Sequence, residues 1–508
     1  MSSLKIVKNA FANLCRGGAS ALVVLLLPPF LTRILDKDAY GTWLLILQLS
    51  TYVSFLDFGV QTAVGRFVAH CNELGDTKQR DSIVSTSIAI LSGAAVLAMV
   101  GISILAWQLP YLFKDMPANL HQDARLALLC VGGSLAVSLP FSVFGAIFVG
   151  LQRYDVPAWI IGISKLLGGI FVVLVAQSSH SIVMMAVVMG IANLCTGLWQ
   201  FIAYKKMVRY ISISVRSISN RNFLEISSYC FSLSVWNVAM LLIGGLDAAI
   251  IGYFDYQSVI YYVLASSFIT FIFGIQNSII STIMPQAAVI GAKGDRKALE
   301  NLLISSTRYV VVIMLVIGLP VLAGGKWFLT LWVGDLYAEK TFLLLQLLIV
   351  GNFIRQIGTP YSILSLAVGE QKQILLSPIV EGLVNVLFSM IFTSYIGFIG
   401  VSLGTIFGGC ASITMHFFYN LPRSFKIKVE DEKKLLYTIF KPFPAIMPCL
   451  LFLLIDNKLN LLASIIAFII SIVVSYTMIW HLGIVDFEKR MIINKIKHRT
   501  ALLFNPSR

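Results

Sequence analysis

The chain has 508 residues, of which 58% are apolar and only 12% charged, with a formal net charge of +14 and a mean hydropathy of +0.86. That balance lies far outside the composition of soluble domains and places the chain in a bilayer. The positive charge does not point to nucleic acid, because Lys and Arg concentrate in alternate short connections, which is a signature of membrane topology.

Apolar runs of about 20 residues are long enough to cross a hydrocarbon core of about 30 Å. They predict fourteen spans, at about 10–34, 41–69, 83–108, 122–150, 156–178, 181–204, 223–251, 258–285, 302–325, 342–367, 373–396, 397–420, 435–456 and 460–481. Helices are required, since each span must satisfy its own backbone polar groups and none shows barrel-type alternation. The first run follows a short basic leader (Lys5, Lys8) and is too long for a signal peptide's apolar region. It reads as a retained span. It ends at Pro28-Pro29, and the chain turns through Asp36, Lys37 and Asp38 into a second span that carries Asp57, Phe58-Gly59 and Arg66.

The basic residues set the orientation. One set of connections carries Lys78/Arg80, Arg153, the cluster Lys205/Lys206/Arg209/Arg216/Arg221, Lys293/Arg296/Lys297, Lys372 and Arg423/Lys426/Lys428/Lys433/Lys434; the opposite set has Lys37, Lys114, Lys326, Lys340 and Lys458. The positive-inside rule puts both termini in the cytoplasm. Outward connections are short, the longest being about 16 residues near 326–341, with no room for a large outward domain. The tail at 482–508 interleaves Phe487, Met491, Ile492 and Ile496 with basic residues, and reads as an amphipathic segment lying on anionic membrane lipids. The seven cysteines sit mostly inside apolar runs with no CxxC pair and read as small packing residues.

Landmarks recur at a constant offset of 219 residues: Asp36 with Asp255, Gly75-Asp76 with Gly294-Asp295, the Gly150 turn with the Gly369 turn, and Gly190 with Gly409. The implied unit is six helices. Six is even, so both copies enter with one orientation and form parallel repeats about an axis along the membrane normal. The chain then divides into a bundle at 1–204, a basic linker at 205–222, a second bundle at 223–423, two additional spans at 424–481 and the tail at 482–508. Paired bundles suggest a cavity between them and alternating access by rocking.

Ionisable groups at membrane depth are costly and usually functional. Arg16, Arg66 and Arg308 lie near cytoplasmic span ends, where snorkelling to the interface and facing a polar cavity both remain open. Lys165 and Arg355 lie some 10–14 residues from the nearer span end, roughly 15–20 Å along a helix, which favours a cavity for Arg355. The acids are Asp57, Glu381, Asp247 and Glu225. Asp57 and Glu381 are read either as charge partners of a cation or as protonatable coupling sites, and Asp247 joins them. A cavity richer in Arg and Lys than in acids attracts anions, and the Arg fork of donors suits phosphate. Gly324-Gly325-Lys326-Trp327 lacks P-loop spacing, the six histidines show no metal-ligand spacing, and no nucleophile elbow is present. The chain therefore reads as a transporter and not an enzyme, with no cofactor and no metal, and with H+ or Na+ as candidate coupling ions.

The opening N-x-x-x-N (Asn9 to Asn13), LPPFLTRIL around residues 26–35, the Tyr40-Gly41 turn, LDFGV at 56–60 with Arg66 following, and the Gly150-Leu-Gln-Arg153 turn carry a resemblance. They resemble the Wzx-type O-antigen and polysaccharide flippases of the MOP (MATE-like) exporter superfamily. The resemblance implies two MATE-like six-helix bundles plus two extra C-terminal helices in a bacterial inner membrane. It also implies flipping of an undecaprenyl-pyrophosphate-linked oligosaccharide from the cytoplasmic to the periplasmic leaflet during lipopolysaccharide biosynthesis, alongside other polysaccharide-assembly membrane proteins. Arg16, Arg66, Lys165, Arg308 and Arg355 are then the candidates for the anionic headgroup. A MATE-type drug or cation antiporter is the alternative, though it would want an acid in span 1, where Arg16 stands. A membrane polymerase or ligase is a third reading, disfavoured by the short outward loops.

Overall fold

The computed structural model describes residues 23–208, 210–280, 283–429 and 432–490. Among the described residues there is no strand. The chain runs through α1 (Val23–Ile34), α2 (Lys37–Ser50), the single turn α3 (Tyr52–Phe55), α4 (Val60–Leu74), α5 (Thr77–Leu112), α6 (His121–Ser138), α7 (Ser142–Gly150), α8 (Asp155–Ser179) and α9 (Ile182–Met207). It continues with α10 (Asn220–Met240), α11 (Asp247–Phe254), α12 (Val259–Ile280), α13 (Ile283–Ala292), α14 (Arg296–Val333), α15 (Asp335–Ile357), α16 (Thr359–Ala367), α17 (Gln371–Ile374), α18 (Leu376–Ile396) and α19 (Ile399–Thr414). It closes with α20 (Leu421–Arg423), α21 (Glu432–Phe440), α22 (Met447–Ile455) and α23 (Leu461–Leu482).

Eleven helices, or up to thirteen if each of two bent pairs is one span, are long and apolar enough to cross a membrane among the described residues. One bent pair, Ala118–Ser138 with Ser142–Gly150, turns by 41° at its break. The first predicted span begins outside the described residues. Its described part, α1, runs as helix through Pro28-Pro29 instead of ending there. The predicted outward loop at 326–341 is also absent as a loop. Helix α14 continues to Val333, Gly334 turns the chain in the left-handed region (φ 88°), and α15 starts at Asp335. The charges of Lys326, Asp335, Glu339 and Lys340 mark helix ends that extend beyond the apolar core, not a loop.

Helix starts are written in the sequence as side-chain caps. Asp36 Oδ1 accepts from Ala39 N at 2.7 Å, and Asn460 Oδ1 accepts from Ala463 N at 2.9 Å. The two Gly-Asp loops predicted as repeat partners share one geometry. Gly75 and Gly294 both have φ 70°, where a residue with a β-carbon is strained. In each, the following aspartate caps the next helix at 2.9 Å: Asp76 to Gln79 N and Asp295 to Ala298 N.

Two compact units divide these helices. The first gathers the described residues up to Gly274 together with Leu329–Leu348 and Leu375–Ala411; the second gathers those of Ile275–Phe328, Ile349–Ile374 and Ser412 onward. This division differs from the sequence repeat, because α10, α11, α18 and most of α19 join the first unit. Small residues are the reason. A β-carbon on Gly382 of α18 would stand 2.6 Å from Leu242 Cβ, and one on Gly404 of α19 would stand 2.7 Å from the Ser389 backbone nitrogen. The backbones are therefore in close contact, as membrane helices without a hydrophobic driving force require.

Within the first unit the linker is not a loose tether. Arg80, only 3% exposed, donates to Tyr210 O at 2.8 Å, and Asp81 Oδ2 accepts from Ser212 N and Oγ at 3.1 and 2.7 Å. Ser82 donates to Ser217 O at 2.6 Å, Ser85 and Thr86 accept from Ser214 N and Ser219 N, and Asn222 Nδ2 donates to Ser82 Oγ at 2.7 Å. The first turns of α5 thus hold the linker along its length. Lys205, Lys206, Arg216 and Arg221 stay exposed.

In the second unit the additional helices pack on α14. Val311, Leu315, Leu319 and Ala323 meet Ile439, Cys449, Phe452 and Ile479 in one buried cluster. Trp327 presents edge contacts to Phe452 and Phe468, with ring centroids at 5.8 and 5.3 Å.

Replacing Gly404 with Val forces α19 away from α18, and overpacking of this kind costs about 1–3 kcal/mol. The expected result is a lower melting temperature for the purified protein in detergent, with Gly404→Ala affected less. Replacing both Arg80 and Asp81 with Ala removes the linker's main anchors. Limited trypsinolysis within 205–222 should then become several-fold faster while the far-ultraviolet circular dichroism is unchanged.

Candidate functional site

The first unit holds an open cavity of about 710 Å³, within the range of about 300–1,000 Å³ usual for small-molecule sites. Five helices supply its wall, each by one stripe at helical spacing. Helix α4 gives Gln61, Thr62, Gly65, Arg66 and Ala69, and α8 gives Pro157, Ile161 and Lys165. Helix α9 gives Asn193, Thr196, Gly197 and Gln200, while α6 and α7 contribute Ser138, Ser142 and Gly145. Gln152 and Tyr154, in the turn between α7 and α8, complete the rim.

Two of the five predicted cations meet here. Arg66 is exposed to the cavity, and its guanidinium lies over the Tyr229 ring at 4.7 Å and near the Phe67 ring at 5.8 Å. That cation–π contact orients the fork without neutralising it. Lys165 is exposed on α8, ten residues in from Asp155, about 15 Å along the helix. No Asp or Glu is among the described lining residues. The cavity is therefore cationic, with hydroxyls and amides set among small residues and the apolar side chains of Leu135, Val149, Pro157 and Ile161.

The other predicted cations lie elsewhere. Arg16 falls outside the described residues. Arg308, in the second unit, pairs with Glu488 at 2.5 Å, and Tyr309 Oη donates to the same carboxylate at 2.5 Å, so α14 is tied to the chain that follows α23. Arg355 is half-buried near the end of α15, three residues before Gly358 breaks the helix.

Asp57 does not sit inside a continuous helix. Residues 56–59 form a turn in which Phe58 (φ 50°) and Gly59 (φ 79°) are both left-handed, and two such residues in succession end a right-handed helix. Leu233 blocks any β-carbon at Gly59, 2.7 Å away. Asp57 Oδ1 lies 3.4 Å from Gln61 N and caps α4.

Asp247 and Glu381 are both buried in the first unit, at 2% and 5% exposure. Asp247 opens α11 directly after a π-helical turn at Leu241–Gly245 and accepts from Tyr262 Oη at 2.6 Å. The turn's carbonyls are taken up by neighbours. Gly245 O accepts from Tyr52 Oη at 2.8 Å and Gln48 Nε2 at 3.3 Å, and Ile243 O accepts from Asn385 Nδ2. Glu381 lies one turn before Asn385 on α18.

The sequence reading missed the polar stripe of α9. Asn193, Thr196 and Gln200 fall at i, i+3 and i+7 in an otherwise apolar span, and that spacing was the available signal. It also missed His416, buried at the π-helical turn Met415–Asn420 of the second unit, with Ser362 Oγ at 3.2 Å from Nε2 and Asn420 Nδ2 at 3.1 Å from Nδ1.

The family model described as "Polysaccharide biosynthesis protein" matches residues 6–290. No curated protein sequence matches the chain. Among solved structures it is similar to the lipid II flippase MurJ in an inward closed conformation, with a TM-score of 0.71 at 15% identity, covering 94% of this chain and 99% of that one. It is similar to an inward-facing multidrug resistance MATE family transporter of the MOP superfamily (TM-score 0.65, 16% identity, 78% and 93% covered). A third is a MOP superfamily transporter from Pyrococcus furiosus with a binding pocket of reversed polarity (TM-score 0.56, 16% identity, 82% and 94% covered). At these identities the likeness establishes the fold. The chain is a multi-pass membrane protein with the MOP-superfamily transporter fold, and it belongs to the polysaccharide biosynthesis protein family.

Proposed function

We propose that the protein flips an undecaprenyl-pyrophosphate-linked oligosaccharide, an O-antigen or similar repeat unit, from the cytoplasmic to the periplasmic leaflet of a bacterial inner membrane. The observation that carries the reading is the cavity of the first unit, with Arg66 and Lys165 exposed in it and no acid among its described lining residues. Such a site favours a diphosphate and repels organic cations. This argues for a lipid-linked anion over the cation cargo of a drug antiporter. The family match and the similarity to a lipid II flippase support the same class of substrate.

The chemistry asked of the protein is transfer without bond making. Two cations hold the diphosphate while the saccharide crosses, and the lipid tail stays in hydrocarbon. Export of an anion from a negative interior gains about 2.3 kcal/mol per charge per 100 mV. Asp247 and Glu381, buried around the π-helical turn, are the proposed place where H+ or Na+ is taken up to reset the carrier. Alternating access by rocking of the two sequence repeats remains the proposed cycle.

In a deletion strain, Arg66→Ala combined with Lys165→Ala should abolish complementation of surface polysaccharide while the protein persists in the membrane. Lipid-linked oligosaccharide should then accumulate on the cytoplasmic leaflet. Full surface polysaccharide in that double variant would sink the assignment. Asp247→Asn is expected to leave binding of undecaprenyl diphosphate intact but to slow transport and remove its dependence on an imposed proton or sodium gradient, measured in proteoliposomes.

A further inference from the structure

The cations of the cavity come from α4 and α8, whereas the uncharged polar groups come mainly from α6, α7 and α9. This second group has its own order. Ser138 and Thr196 each donate their hydroxyl proton to a carbonyl of their own helix, at 2.7 and 2.8 Å, and Ser142 donates to Leu139 O in the break before α7 at 2.6 Å. Their oxygens keep lone pairs for a ligand, so these residues act as acceptors. Asn193 donates through Nδ2 to Ser134 Oγ at 3.1 Å, which fixes the amide across the α6–α9 seam. Gln200 is 7% exposed, and among the described residues none hydrogen-bonds its amide. That amide lies over Gly145, where a β-carbon would come within 3.1 Å of Oε1. A glycine there keeps the amide's position open.

A buried amide offers donors and an acceptor together, and a row of hydroxyl oxygens offers acceptors. Sugars present the complementary set, with several hydroxyls or an acetamido group on a rigid ring. The phosphates themselves have no use for hydroxyl acceptors. Tyr154 at the rim adds a ring on which the apolar face of a sugar can lie. The cavity is large enough for a short saccharide.

We propose that the wall formed by α6, α7 and α9 is a saccharide subsite, in which Asn193, Thr196 and Gln200 hold the uncharged sugar next to the lipid diphosphate. The inference rests on the flippase reading above and adds to it a division of labour. Arg66 and Lys165 hold the anion common to all undecaprenyl-linked substrates, and the amide wall reads the sugar. Buried amides discriminate well, because a sugar lacking the matching hydroxyl leaves them unpaired.

The test is binding to the full-length protein in nanodiscs with two probes. One is undecaprenyl diphosphate, and the other is the lipid-linked oligosaccharide extracted from the deletion strain. Wild-type protein should bind the second more tightly. Asn193→Ala and Gln200→Ala should each weaken it on the order of two- to tenfold, the range of one lost hydrogen bond, and leave undecaprenyl diphosphate binding unchanged. Unchanged binding of the bare lipid also reports that these variants are folded. Arg66→Ala should weaken both. If the amide variants weaken both probes equally, or neither, the saccharide subsite is overturned while the flippase reading stands. If wild-type protein binds neither probe, the flippase reading falls and the subsite with it.

Discussion

Every backbone polar group buried in hydrocarbon must find a partner within the protein, and two places where this chain departs from plain helix show how that constraint is met. At Leu241–Gly245 a π-helical turn frees carbonyls, and Tyr52, Gln48 and Asn385 take them up. At residues 56–59 two left-handed residues interrupt the second span, and the Ser234 hydroxyl reaches the Phe58 carbonyl at 3.4 Å. Irregular backbone is tolerated at depth where neighbouring helices cover it. Both breaks are packed against other helices of the first unit, and the buried acids of that unit stand beside one of them.

Close helix packing is the second half of the same economy. Glycines at 382 and 404 bring α18 against the π-helical turn and α19 against α18, so that polar groups on one helix meet freed carbonyls on another. The wall of the cavity uses small residues the same way. A β-carbon on Gly145 would stand 3.1 Å from Gln200 Oε1, and one on Gly197 3.0 Å from Phe141 Cβ. One residue type therefore permits close contact both around Asp247 and behind the polar wall of the cavity.

Much of this was legible in the sequence. Hydropathy located the spans, and the 219-residue offset anticipated two Gly-Asp loops of matching geometry. The breaks were not legible, since Leu56-Asp57-Phe58-Gly59 looks like apolar helix carrying one charge. The stretch 326–341 was misread because charged helix ends resemble a loop in composition. Among site residues, Arg66 and Lys165 stood out because charge in an apolar run is rare. Asn193, Thr196 and Gln200 did not, because uncharged polar residues are common glue between membrane helices. Arg308 could not be sorted from sequence at all, as its partner Glu488 lies 180 positions away.

The bonds between α5 and the linker fix where this molecule could be divided. Composition suggests cutting in the basic stretch at 205–222, yet Tyr210, Ser212, Ser214, Ser217, Ser219 and Asn222 are all bonded to α5. A chimera with the second half of a related carrier, or a split pair of co-expressed fragments, keeps these bonds only if the junction falls after Asn222. A crossover at 205 would give the linker to a partner whose sequence was never selected to fit Arg80 and Asp81. Structurally, the linker is therefore part of the amino-terminal half.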